Sequence, residues 1–312
     1  MPRNHSGSQV RRQLNVNPPA TSLRALMRRL VDYAGLFPPA ALPMEAAVRS
    51  YASHLASPDA WMLGRFVVPV ERLDEFAEAA IPLTGEGSDA WRLSALIGAN
   101  AADAGARIRA FNSAHRGRFV VDVVECRSVA AGSVSASIGA LPGELRIFVE
   151  LPLLDDPRRM LTEIRAAGAW AKMRTGGVTS DAFPSAREVG RFIARTSELL
   201  VPFKATAGLH HPVCGDYPLT YDDGAPRARM FGFLNIFAAA AFAQGRASER
   251  VLTEIVDESD ASAFRFSDDE MVWRNHKVSA RQVASARSSL GLAFGSCSFQ
   301  EPADSLRELG LL

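Results

Sequence analysis

The sequence predicts an α/β protein, a single (β/α)8 TIM barrel, on three observations. Short apolar runs alternate with longer amphipathic stretches along most of the chain. The apolar runs are nearly continuous rather than alternating with polar residues, as in strands of a parallel sheet covered by helices. Neither a GxGxxG fingerprint nor a phosphate-loop lysine motif occurs, which disfavours the open doubly wound sheet that the same alternation would allow.

Taken in order, GRFVVPV (64–70) reads as a strand and is followed by a helical stretch from Glu71 to about Ile81. RLSALIGA (92–99) is a strand, and Ala102 to Ala114 carries apolar residues at helical spacing. FVVDVVEC (119–126) is a strand before a weak helix rich in Ala and Ser. LRIFVELPL (145–153) precedes a helix from Pro157 to Ala166, with proline at the first turn, where its missing N–H costs nothing. AWAKMRTGG (169–177) precedes a helix from Ser185 to Leu200. VPFKATAGL (201–209) leads into an irregular stretch and an alanine-rich helix near 232–243. Between 246 and 290 stand a further helix, a short FRF strand and a helix from Ser279 to Leu290, so the last barrel strand is not fixed by pattern alone.

The domain expectation is a disordered leader over 1–21 and one barrel domain over 22–312, with an irregular or inserted segment around 213–290. The leader is polar and lacks an apolar signal core. The 312 residues are 47% hydrophobic and 22% charged, enough for a large core. With 35 basic against 34 acidic residues, no strong field points to nucleic acid or an anionic membrane. The longest apolar stretch, around Phe233 to Phe242, is too short to span a bilayer. Cys126, Cys214 and Cys297 form no CxxC or zinc spacing, which fits a reducing compartment and a cytoplasmic protein. Met27, Phe192 and Phe237 read as core, and the acidic run 267–270 as a solvated turn or helix cap.

Parallel barrels carry their chemistry at the C-terminal ends of the strands, and unusual residues fall there. Asp122 lies inside an apolar strand, Glu150 ends the next, and Lys172 and Arg174 end the one after. Lys204, Thr206 and His210 follow on the next strand and just beyond it. Residues two apart share a strand face, so Lys172 pairs with Arg174, and Lys204 with Thr206 and Gly208. Buried charges of this kind need partners, because an isolated one costs several kcal/mol. A free lysine titrates near ~10.4 and is not nucleophilic at neutrality. A second cation and desolvation would lower that value and free the amine for attack on a carbonyl, while Asp122 or Glu150 moves protons. The alternative from the same residues is a buried ion network that plugs the barrel.

In these motifs the chain resembles the deoxyribose-phosphate aldolase family, class I aldolases on a (β/α)8 barrel. The family's opening Asp-His-Thr-Leu-Leu-x-Pro segment is similar to Asp32-Tyr33-Ala34-Gly35-Leu36-Phe37-Pro38. Its Asp-Val-Val strand resembles Asp122-Val123-Val124, and its Lys-Val-Ile-x-Glu strand resembles Arg146 to Glu150. Its Lys-Thr-Ser-Thr-Gly strand is similar to Lys172-Met173-Arg174-Thr175-Gly176. Its Phe-Lys-x-x-Gly-Gly strand resembles Phe203 to Gly208, and its final Phe-Gly-x-Ser segment resembles Phe294-Gly295-Ser296-Cys297-Ser298. The resemblance implies that Asp32 lies on the first strand, Asp122 on the fourth, Lys172 on the sixth and Lys204 on the seventh. It also implies that Lys172 forms the Schiff base, Lys204 tunes it and Asp122 relays protons. The chain departs from the family at Arg174, at Ala207 in place of a glycine, and at His210 and His211. A methyl at Ala207 puts a phosphate site in doubt.

The expected function is therefore an aldolase-like lyase acting on a small carbonyl compound through a lysine Schiff base, with no cofactor and no metal. Its expected catalytic residues are Lys172, Lys204, Asp122 and Glu150. Arg174, Thr175, Thr206, Gly208, His210, Gly295 and Ser296 are the expected substrate contacts. Asp122, Glu150 and His210 are a conceivable metal set, which the nearby cations oppose. Ser296-Cys297-Ser298 reads either as an anion cradle of backbone amides or as packing around a small buried thiol. A non-covalent isomerase or lyase, and a non-catalytic binding barrel, stand as alternatives. The expected partner is a small molecule, with neither nucleic acid nor membrane, and homo-oligomerisation is left open.

Overall fold

A computed structural model of the chain describes residues 18–85, 89–127, 134–153 and 156–312. Eight parallel strands close into a barrel: β1 (Val31–Tyr33), β2 (Leu63–Pro69), β3 (Trp91–Ile97), β4 (Phe119–Cys126), β5 (Arg146–Glu150), β6 (Trp170–Arg174), β7 (Phe203–Thr206) and β13 (Gly291–Ser296). The last strand, β13, fits between β7 and β1, pairing Gly295 with Thr206 on one side and with Asp32 on the other. Asp32, Asp122, Lys172 and Lys204 thus fall on the first, fourth, sixth and seventh strands, as the motif order implies. Most of the leader expected over 1–21 lies outside the described residues, and helix α1 (Thr21–Met27) already begins at its edge.

Helices α2 (Met44–Leu55), α3 (Leu73–Ala80), α4 (Ala101–Ala114), α5 (Val134–Ile138), α6 (Arg158–Ala166) and α7 (Ala186–Glu198) follow the first six strands in turn. Two of their starts, those of α4 and α7, carry side-chain caps. Asn100 accepts the amide of Asp103 at the head of α4, and Ser185 and Glu188 form a reciprocal capping box on α7. The expected core residues Met27, Phe192 and Phe237 are all fully buried.

The segment expected around 213–290 adds structure of its own. A hairpin of β8 (Gly215–Pro218) and β9 (Arg227–Met230) arches from the barrel mouth, followed by α8 (Phe233–Gln244) and α9 (Glu249–Val256). A three-stranded antiparallel sheet of β10 (Phe264–Phe266), β11 (Glu270–Trp273) and β12 (His276–Ser279) comes next, then α10 (Ala280–Ser289). The FRF run is therefore a strand, but of this side sheet and not of the barrel. Helix α8 is buried on all faces, which explains why, apart from Asn235, it is apolar from Phe233 to Ala243. The acidic turn at 267–270 is used at the surface, where the Asp268 carboxylate accepts both the amide and the hydroxyl of Thr21 at the start of α1. Arg287 on α10 ties the circle shut, donating to the carbonyls of Leu26 at 2.6 Å, Arg28 at 3.2 Å and Gly291. Helix α11 (Gln300–Glu308) ends the chain.

Candidate active site

Strand register aligns the charged residues. Glu150 pairs with Lys172, and Lys172 with Lys204, so three charged side chains from consecutive strands start at one level. A fourth and a fifth reach them from further round the barrel, on β4 and β1. Glu125, near the end of β4, accepts the Lys172 ammonium at 2.9 Å through one oxygen and the Lys204 ammonium at 2.6 Å through the other. Asp32 on β1 meets Lys204 at 2.5 Å, and Glu150 meets Lys172 at 3.1 Å and Arg174 at 3.3 Å. The result is a chain of alternating sign, Asp32–Lys204–Glu125–Lys172–Glu150–Arg174, in which each internal charge has two opposite neighbours. Alternation is what permits such burial: Lys172, Lys204, Asp32 and Glu125 are all nearly inaccessible to solvent.

Local sequence prepares both ends. Gly64 on β2 leaves room for Asp32, because a Cβ there would lie 2.2 Å from its Oδ1, and the Arg65 amide donates to the same oxygen at 2.7 Å. The Ser94 hydroxyl donates to Glu125 at 2.7 Å. Burial by itself would raise the pKa of Glu125, but Lys172 and Lys204 outweigh it and hold the carboxyl far below the usual range. Burial would likewise lower Lys204, but Asp32 and Glu125 reverse the sign and fix it as an ammonium.

Two expectations are corrected here. Asp122 does not reach the lysines. It sits in the first half of β4, where the pairing with β3 slips between Leu93 and Ser94, and its carboxylate is held by Arg65 at 2.6 Å and by Arg92. The carboxylate between the lysines is Glu125, three residues further on. The second correction concerns activation. With Glu125 interposed, the charge of Lys204 is offset rather than pressed on Lys172, so like-charge repulsion is not what this geometry supplies.

A cavity of about 360 Å³ opens above the charge chain. Glu125, Lys172, Arg174, Thr206, Gly208, His210 and Gly295 line it, together with Ala34, Phe37 and Leu96. Lys204, Glu150, Thr175 and Ser296 do not. Thr175 is buried and clasps the carbonyls of Thr206 at 3.2 Å and Ala207 at 2.6 Å, holding the ends of β6 and β7 together. Ala207 has φ of +65° and Gly208 of +71°, so an alanine occupies a left-handed position that glycine favours. Of the amides expected to cradle an anion, that of Ser298 is engaged locally, donating to the Ser296 hydroxyl at 3.4 Å. Asp122, Glu150 and His210 do not converge, and among the described residues no group of three His, Cys, Asp or Glu side chains is arranged to hold a metal ion.

The far wall brings His210, an expected substrate contact, together with Cys297 and with two residues that sequence pattern does not single out, Tyr221 and Glu301. The His210 Nδ1 lies 2.8 Å from Glu301 Oε2 on α11, and its Nε2 lies 3.9 Å from the Cys297 thiol. The Tyr221 hydroxyl donates to Glu301 at 3.2 Å and lies 3.6 Å from Cys297. Burial would lower His210, yet Cys297 and Glu301 raise it to about 9. His211 stacks on Tyr217 with ring centroids 3.5 Å apart, and burial together with His210 lowers it to about 4. The two histidines follow β7 in an irregular turn rather than a strand, which is why both line the cavity despite being adjacent.

The chain matches no protein-family model, and no curated protein matches it. No helix among the described residues is long and apolar enough to cross a membrane.

Proposed function

We propose that the barrel mouth is the active site of a lyase that makes or breaks a carbon–carbon bond in a small aldehyde or ketone, through an imine on Lys172. One observation carries the reading: Lys172 lines the cavity with its ammonium between Glu125 and Glu150. An ammonium and a carbonyl compound give a protonated iminium and water, so the reaction keeps one positive charge at that nitrogen. The two carboxylates that neutralise the resting lysine therefore also neutralise the iminium. Positive charge held at that nitrogen is what draws electrons from the bond being cleaved.

Forming the imine requires Lys172 to release protons and the departing oxygen to gain them. Glu125 lies in the cavity wall within hydrogen-bond distance of the nitrogen, with Glu150 on the other side. Lys172 is one of the two charges that hold Glu125 ionised, so as the lysine gives up its charge Glu125 becomes able to carry the proton to the departing oxygen. Lys204 lies out of the cavity, clamped by Asp32 and Glu125, and is a positioning residue that fixes where Glu125 points. Arg174, half exposed at the cavity wall, is placed to draw an anionic group on the substrate. The motif resemblance to deoxyribose-phosphate aldolases supports the same chemistry, with Glu125 in place of Asp122 beside the lysines.

Borohydride trapping with a panel of small aldehydes, ketones and keto acids tests the reading. A reduced adduct mapped to Lys172, and lost in Lys172→Ala, is the expected result. No adduct on Lys172 across the panel between neutral and mildly alkaline pH would sink the imine mechanism. The charge chain would then be read as a structural tie.

A further inference from the structure

We propose that the far wall of the cavity is a second nucleophilic centre, in which Cys297 attacks the acyl carbon of a small ester or thioester, with His210 as its base and Glu301 orienting the imidazole. The proposal does not rest on the imine reading, since it uses none of the residues of the charge chain.

The geometry is that of a nucleophile, a base and an orienting carboxylate in series. The thiol follows directly on the end of β13, the histidine lies four residues past β7, and the glutamate is on α11, so three separate elements converge at the C-terminal face of the barrel. The Glu301 Oε2 is 2.8 Å from His210 Nδ1, which fixes the ring with Nε2 toward Cys297 Sγ at 3.9 Å. That last distance is long for a hydrogen bond and suits a site that tightens when a reacting carbon arrives. Tyr221 places a hydroxyl 3.6 Å from the same sulfur; its one proton rests on Glu301 and would have to turn from that carboxylate to reach an oxyanion formed there. All four side chains border the cavity. Burial would raise the Cys297 thiol, but His210 and Tyr221 reverse this and hold it below its ordinary value. The contrast with the other two thiols is sharp. Burial pushes Cys126 up to about 12 and Cys214 up to about 11, and neither borders the cavity.

The steps balance without an added oxidant or metal. The Cys297 thiolate, its proton resting on His210, adds to the carbonyl carbon. The bond from that carbon to the leaving oxygen or sulfur breaks, and His210 returns its proton to the leaving group. Water then attacks the resulting thioester, giving its proton to His210. The carbon–sulfur bond breaks, and a carboxylic acid leaves with the thiolate restored.

The test uses the full chain and p-nitrophenyl acetate. Acetylation of Cys297, located by peptide mass, should be at least tenfold faster than acetylation of Cys126 or Cys214, with nitrophenolate released in step. His210→Gln should slow it at least tenfold. Glu301→Gln should move the pH profile of Cys297 alkylation by iodoacetamide toward higher pH, which a merely structural role would not do. If His210→Gln fails to fold, the unsubstituted protein still decides: an alkylation midpoint well below the ~8.5 of a free thiol supports the proposal. A midpoint at or above that value overturns it, as does acetylation that ignores Cys297 or is indifferent to His210. Because peptide mass separates an adduct on Cys297 from one on Lys172, failure here is distinguishable from failure of the imine reading.

Discussion

Replacing Glu125 by glutamine removes the negative charge at the centre of the alternating chain while keeping the shape of the side chain. Both neighbouring ammoniums are almost fully buried, so the loss cannot be made good by water. Each lysine keeps one carboxylate, Asp32 for Lys204 and Glu150 for Lys172. Breaking a buried pair by removing one partner costs about 3–5 kcal/mol, and the two surviving partners place this case at the low end, about 3 kcal/mol. At ~2–3 °C per kcal/mol for a domain of this size, the melting temperature should fall by roughly 6–9 °C. The pH dependence supplies a second readout. The Glu125 pKa is depressed in the folded state, so its contribution is present above the unfolded value near ~4.3 and is lost as pH falls through the lower folded value. In Glu125→Gln that part of the acid limb should disappear. Urea unfolding from pH 3 to pH 7 measures both effects. A cost below about 1 kcal/mol at pH 7, with an unchanged acid limb, would refute the account of Glu125 as the common partner of both lysines.

Other expectations follow from the same geometry. Gly64→Ala drives a methyl into the Asp32 carboxylate and should destabilise by about 1–3 kcal/mol, read by thermal melting; a neutral result would mean that Asp32 is not confined there. Ala207→Gly should be neutral or stabilising by up to about 1 kcal/mol, since the relieved left-handed strain exceeds the added freedom of the unfolded chain. His210 has a raised folded pKa, so its contribution is full below ~6.5 and is lost as pH rises through about 9. His210→Gln should flatten the fall in stability over that window, measured by urea midpoints at stepped pH.

Much of this was legible in the chain. Near-continuous apolar strands between amphipathic helices pointed to the barrel, and the lysines stood out because apolar strands rarely carry them. The acid beside them was misplaced for a physical reason. Asp122 is the more conspicuous charge in the middle of FVVDVVEC, but chemistry gathers at strand ends, and Glu125 is the acid nearer that end. Asp32 was visible in its motif, yet its reach to Lys204 depends on barrel closure, which no local pattern encodes. The last strand escaped because the 213–290 segment interposes strands of another sheet with equally strand-like sequences. The Cys297 wall was legible only in part. His210 was marked by its position after a strand, whereas Glu301 and Tyr221 enter from a helix and a loop that sequence spacing does not connect.

The charges along the mouth are sorted by order of synthesis. Asp32, Glu125 and Glu150 come from the first five strands, and Lys172, Arg174 and Lys204 from the two that follow. Lys204 finds Asp32 across 172 residues of chain and Glu125 across 79. The chain up to β5 therefore supplies the three carboxylates, and none of the three cations that pair with them in the mouth. The later strands arrive as a complementary set of positive charges. Neither part neutralises its own share of the charge chain, so the mouth is electrostatically complete only when both parts of the barrel have come together.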